Sequence, residues 1–198
     1  MKAKETAVVL IEFQNEFCKE GGKIYEATKD EIARQKTLEN GVKLAKAARE
    51  KGCLIIHSPF VLDEKWADEK GVSGIIAGAK EGRAFLPGEW GTQIIEEMQP
   101  ADSDIVLKGK RALSGFTNTG LGKILEEKGI KNVACAGFHS NVCVESTARS
   151  AYDNGYTVKV IKDATAATSK ANQDYVENEI YPLLGGAMTV DEFIASLE

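Results

Sequence analysis

The sequence predicts an α/β fold built on a mostly parallel, doubly wound sheet. Three observations carry that expectation. Short apolar runs of strand length recur at residues 7–11, 53–56, 105–107, 132–136 and 157–161. Stretches with helical spacing separate most of them, the alternation that a parallel sheet with right-handed crossovers requires. The first run, Ala7-Val8-Val9-Leu10-Ile11, is apolar without alternation, as in a central strand covered on both faces. With 198 residues and 43% hydrophobic content the chain suffices for one sizeable core, so residues 1–198 are expected to form a single domain.

The elements follow in order. The first strand ends in Glu12-Phe13-Gln14-Asn15-Glu16-Phe17, and the carboxyl end of a first parallel strand is where such folds place active-site groups. Gly21-Gly22 marks a loop. One helix is expected over 29–51, burying Ile32, Leu38, Val42, Leu44, Ala45 and Ala48. The second strand is stopped by Pro59, and His57 near its end reads as a core-edge histidine more than a pocket group. Residues 60–89 are the least regular part and read as a long excursion over a pocket. A short helix is expected over 92–98. The third strand exits into Lys108-Gly109-Lys110-Arg111. Asn118 or Thr119 is placed to cap a helix running to Lys128, with Gly129 beyond its end. The fourth strand leads through Gly137-Phe138-His139-Ser140-Asn141-Val142-Cys143 into a helix of small residues over 142–154. A fifth strand, a helix over 172–180 and a short strand at 187–189 come next. Thr189 and Glu192 then form a capping box for the terminal helix.

Composition excludes several classes. The formal net charge is −5 with Lys and Arg scattered, so no nucleic-acid partner is expected. The N-terminal apolar run is far too short for a membrane span and no small-residue cleavage site follows it, so the expected location is cytoplasmic, with no membrane partner. Cys18, Cys53, Cys135 and Cys143 form no CxxC or zinc spacing and are expected as free thiols. His57 and His139 are the only histidines, which limits both metal binding and His-based catalysis.

Cys143 stands on a strand-to-helix turn, where unpaired N–H groups and the helix dipole favour thiolate, the nucleophilic form. A buried structural cysteine is the competing reading. The other strand ends bear on that choice. Glu12 follows the first strand, Lys110 the third and Cys143 the fourth, and these ends can border one crevice at the topological switch point. Together they make a workable nucleophilic set: Glu takes the thiol proton, Lys holds the charges in place, Cys attacks a carbonyl, and backbone N–H groups receive the oxyanion. No Gly-x-Gly-x-x-Gly or Walker loop is present.

Ile11 through Phe17, Gly109-Lys110-Arg111-Ala112-Leu113-Ser114-Gly115-Phe116, Gly137 through Thr147, Tyr152 through Tyr156 and Asp163-Ala164-Thr165-Ala166 stand in an order that resembles the isochorismatase-like cysteine hydrolases over nearly the whole chain. The resemblance implies a three-layer α/β/α fold with a six-stranded parallel sheet in Rossmann-like order. It implies an acid–Lys–Cys triad (Glu12, Lys110, Cys143) that hydrolyses amides or related bonds through a thioester. Lys110 matches the family lysine better than Lys108, standing four residues before Ser114-Gly115-Phe116. A cis peptide is implied between Phe138 and His139, with the amides of His139 and Cys143 as the oxyanion hole.

Two departures refine the expectation. The family's usual first-strand acid is Asp, so Glu12 must approach from a retracted backbone or a different rotamer. The zinc-dependent nicotinamidase branch uses an Asp-x-His pair and a further His beyond strand two, where this chain offers only His57. The expected activity is therefore metal-independent cleavage of a small amide, ureido or imide-like compound, with no cofactor. Phe60, Trp66, Trp90, Phe116 and His139 are candidates for the pocket wall. A homo-oligomer, dimer or tetramer, is the expected assembly. Isochorismate-type vinyl-ether hydrolysis is the rival activity, with Lys108 and Arg111 as the extra cations its substrate would want. A catalytically silent binding protein is the rival from another class.

Overall fold

The computed structural model describes residues 1–198. Its six strands are β1 (Thr6–Ile11), β2 (Leu54–Ser58), β3 (Ile105–Val106), β4 (Asn132–Phe138), β5 (Thr157–Ala166) and β6 (Ala187–Met188). They lie in the order β3-β2-β1-β4-β5-β6 with every pairing parallel. The winding direction reverses between β1 and β4, which places the switch-point crevice at their carboxyl ends.

The nine α-helices are α1 (Asn15–Cys18), α2 (Tyr25–Gln35), α3 (Thr37–Lys51), α4 (Glu64–Lys70), α5 (Gly74–Glu81), α6 (Leu121–Glu127), α7 (Glu145–Asp153), α8 (Lys170–Tyr175) and α9 (Val190–Ala195). The periodicity of β1 explains the layering. Val8 and Leu10 join one core with Ile32, Leu44, Ala48 and Phe193, while Ala7, Val9 and Ile11 join a second with Leu121, Leu125, Ala148 and Ala151. A strand buried on both faces has no solvent side on which to place polar residues, hence its unbroken apolar run.

Four local expectations are corrected. The single helix over 29–51 is two helices, broken at Lys36, which adopts a left-handed backbone (φ 54°). Side chains tied to β5 set the break: Thr37 Oγ1 donates to Thr165 O and Asn40 Nδ2 to Asp163 O. Residues 92–98 form no α-helix, because Asn15 N–H donates to Gln93 O and Ile95 N–H to Phe13 O, holding the segment extended between two short 3₁₀ turns. The N-cap position before α6 belongs to Gly120. Asn118 Nδ2 instead donates to Gly109 O (2.8 Å), while Thr119 Oγ1 accepts from Leu121 N–H. β5 continues past Ile161 to Ala166, through a register shift opposite Cys135 and Gly137. The capping box of Thr189 and Glu192 is present.

Candidate active site

The carboxyl ends of β1 and β4 approach so closely that a Cβ on Gly137 (φ 124°) would sit 1.8 Å from Ile11 O. Only glycine permits that contact. One residue further along β1, Glu12 takes a left-handed backbone (φ 56°), uncommon for a residue with a Cβ, and its N–H donates to Ser58 O.

Beyond Gly137 the Phe138–His139 peptide bond is cis. The chain then makes a wide π-type turn, Ser140–Val144, before α7. Side chains fasten the turn from several directions. Ser140 Oγ donates to Gln173 Oε1, Tyr181 Oη–H donates to Ser140 O (3.0 Å), and Thr147 Oγ1 donates to Cys143 O (2.7 Å). Thr147 Oγ1 also accepts the N–H of Gly115 (2.9 Å), which ties the Cys143 turn to the loop carrying Lys110.

The structure brings Glu12, Lys110 and Cys143 together. Lys110 Nζ donates to Glu12 Oε1 in an ion pair whose members are both buried. Cys143 lines the same buried cavity as Glu12 and His139. Burial pushes the thiol above its usual range and the Glu12 charge adds to that, against the opposing pull of Lys110 and the His139 N–H. This corrects the expectation that the turn by itself favours thiolate: desolvation outweighs the local donors, and the resting sulfur is a thiol beside a base. For Lys110, burial lowers the pKa, but the charge and the hydrogen bond of Glu12 hold the net shift upward, toward ammonium.

These groups open on a small cavity lined by Glu12, Cys143 and His139 together with Phe17, Phe60, Ile75, Ile76, Ala79, Phe85, Ala112 and Leu113. The 60–89 excursion does cover it, through α5 and Phe85. Of the wall candidates, Phe60 and His139 line the cavity. Trp66, Trp90 and Phe116 do not, and each has another place. Trp66 lies under the Arg111 guanidinium, which is bonded to Asp63. Trp90 is 46% exposed and holds Asn15 through its carbonyl. Phe116 packs on Tyr156 with the second core.

Phe17, Ile75, Ile76, Ala79, Phe85, Ala112 and Leu113 are wall residues that sequence reasoning missed. The adjacent apolar pair Ile75-Ile76, in a short segment without a polar-face pattern, was the available signal. Phe85 is held by the buried Glu16 carboxylate, which accepts the N–H groups of Phe85 and Lys23.

His57 lies on β2, between β1 and β3, and does not line this cavity. Its Nε2 is 3.2 Å from Asp104 Oδ2, and Asp104 is clasped by the Arg49 guanidinium. Burial lowers the His57 pKa against the opposing effect of Asp104. No group of three or more His, Cys, Asp or Glu side chains is placed to hold a metal ion, so the residues present do not fit the zinc of the nicotinamidase branch. No helix is long and apolar enough to cross a membrane.

Comparison with known proteins decides the family. The model of the Isochorismatase domain matches residues 6–192. The chain belongs to the isochorismatase family. This isochorismatase-family hydrolase is 29% identical to the ureidoacrylate amidohydrolase RutB of Rhizobium rhizogenes, over all of this chain and 85% of that protein. It is 27% identical to N-carbamoylsarcosine amidase of Thermoplasma acidophilum, whose crystal structure superposes with a TM-score of 0.73 over 96% of this chain and 98% of that one. A cysteine hydrolase of Pseudomonas syringae shares the fold at a TM-score of 0.83 and 24% identity, covering 98% of this chain and 93% of that one.

Proposed function

We propose that this isochorismatase-family hydrolase cleaves the C–N bond of a small amide or ureido compound through a thioester on Cys143. The observation that carries the reading is the Glu12 carboxylate, which bonds the buried Lys110 ammonium and lines the same cavity as the Cys143 thiol. Glu12 takes the Sγ proton as the sulfur attacks the carbonyl carbon. The N–H groups of His139 and Cys143 receive the developing oxyanion. Glu12 then returns the proton to the departing nitrogen as the C–N bond breaks. Water, deprotonated by the same carboxylate, releases the acid and restores the thiol. Lys110 fixes the orientation of Glu12 and balances its charge. The names of the amide-cleaving relatives support the same bond type.

Two measurements test this. Cys143→Ser should lose turnover while keeping its melting temperature, because a hydroxyl is a far weaker nucleophile at this site. A slowly deacylating substrate should add its acyl mass to the peptide containing Cys143. Turnover by the serine variant near that of the unmodified protein would overturn the thiol route. The rival vinyl-ether reading gains no support from its expected cations: Lys108 is exposed, and Arg111 is engaged by Asp63 and Trp66.

A further inference from the structure

The charge content of the catalytic cavity narrows the substrate beyond the bond that is cleaved. No lysine or arginine lines it. Lys110 is spent on Glu12, and Arg111 on Asp63. The two residues after Arg111, Ala112 and Leu113, face the cavity with apolar side chains. Lys23 lines a separate, adjoining cavity, and its Nζ donates to Arg83 O. A substrate carboxylate in the catalytic cavity would therefore lose its hydration, find no cation, and share the space with Glu12.

One polar side chain besides the triad remains. His139 Nε2 is buried with no hydrogen-bond partner. The ring stands edge-on to Phe17 at 4.9 Å between centroids and lines the catalytic cavity. Burial holds its pKa near 4, so the imidazole is uncharged at neutral pH and offers a neutral hydrogen bond. A buried polar atom without a partner calls for an explanation, and a ligand bound beside Cys143 supplies one.

Resting on the amide and ureido reading above, we infer that the substrate is uncharged, with an apolar tail against Ile75, Ile76 and Leu113, and that the His139 side chain hydrogen-bonds its amide or ureido group. This sets the chain apart from relatives whose names, ureidoacrylate and carbamoylsarcosine, denote carboxylate-bearing compounds.

The test uses matched pairs that differ by methyl against carboxylate: propylurea with 3-ureidopropionate, and butyramide with succinamate. Binding is read on the Cys143→Ser protein as the concentration giving half the maximal rise in melting temperature, which needs no turnover. Each uncharged member should reach that point at a concentration lower by at least about tenfold, given the cost of burying an unpaired carboxylate. Equal or tighter binding of the carboxylated members, or no shift from either uncharged compound at millimolar levels, overturns the inference.

His139→Phe, which keeps a ring against Phe17, should weaken propylurea binding about tenfold or more, while His139→Gln restores part of it. Unchanged binding by the phenylalanine variant removes His139 from the recognition. Acylation of Cys143 by the carboxylated compounds in preference would sink this inference and leave the thioester reading intact. Tight uncharged binding with no acyl adduct from any substrate would do the reverse.

Discussion

Lys110 and Glu12, 98 residues apart in sequence, form an ion pair with no exposure at the lysine side chain and almost none at the glutamate. Each is the other's means of staying charged away from water. The ammonium also fixes the carboxylate beside Cys143. Catalytic positioning and fold stability therefore rest on one contact.

Replacing Lys110 with Met should strip Glu12 of its partner in a dry site. Removing one member of a buried pair costs about 3–5 kcal/mol, whereas replacing both is often nearly neutral. The melting temperature should fall sharply for Lys110→Met and recover in the double variant with Glu12→Gln, while both remain inactive. A single variant as stable as the unmodified protein would show that the pair is not desolvated.

Glu12→Gln keeps shape and removes the base, so the rate of hydrolysis should fall at least roughly a hundredfold. Glu12→Asp should retain part of the activity. Aspartate tolerates the left-handed backbone at this position better than most residues, but its carboxylate is one methylene shorter. Steady-state kinetics on one amide decides both; full activity of the glutamine variant would place the base elsewhere.

The buried His139 gives stability a pH dependence of known sign. Its folded pKa lies near 4 against an ordinary 6.5, so between those values the unfolded chain binds the proton more readily. Its contribution is fully present above pH 6.5 and is lost as pH falls toward 4, by roughly 3 kcal/mol in total. His57, also lowered by burial, acts in the same direction. Denaturant melts at pH 7 and pH 4.5 should show a smaller loss for His139→Phe than for the unmodified protein. Equal losses would mean that the imidazole protonates in place.

Chelators should leave activity intact. His57 is committed to Asp104, which Arg49 clasps, and no group of three or more His, Cys, Asp or Glu side chains is placed to hold a metal ion. A catalytic zinc site needs three protein ligands and an open position. Hydrolysis assayed after dialysis against a chelator, with and without added zinc, is the check; activity restored only by zinc would overturn the metal-free mechanism.

Much of this was legible in the sequence because strand patterning and strand ends are local properties. The apolar run at 7–11 demanded a strand covered on both faces, and Glu12, Lys110 and Cys143 each lie just beyond a strand of a parallel sheet. Topology then had few ways to keep them apart. The Thr189–Glu192 capping box was readable for the same reason, since its partners are three residues apart. What only the tertiary structure decided depends on contacts between distant segments. Thr165 and Asp163 break the helix at Lys36, and Phe13 and Asn15 hold residues 93–95 extended. Aromatic residues of the 60–90 excursion divide between the cavity and more exposed positions, because a loop carries no periodicity to tell Phe85 from Trp66 or Trp90. The thiol's resting state belongs to the same class: its turn favours thiolate, but desolvation by the packed walls of both cores reverses the balance, and burial is a property no sequence window contains.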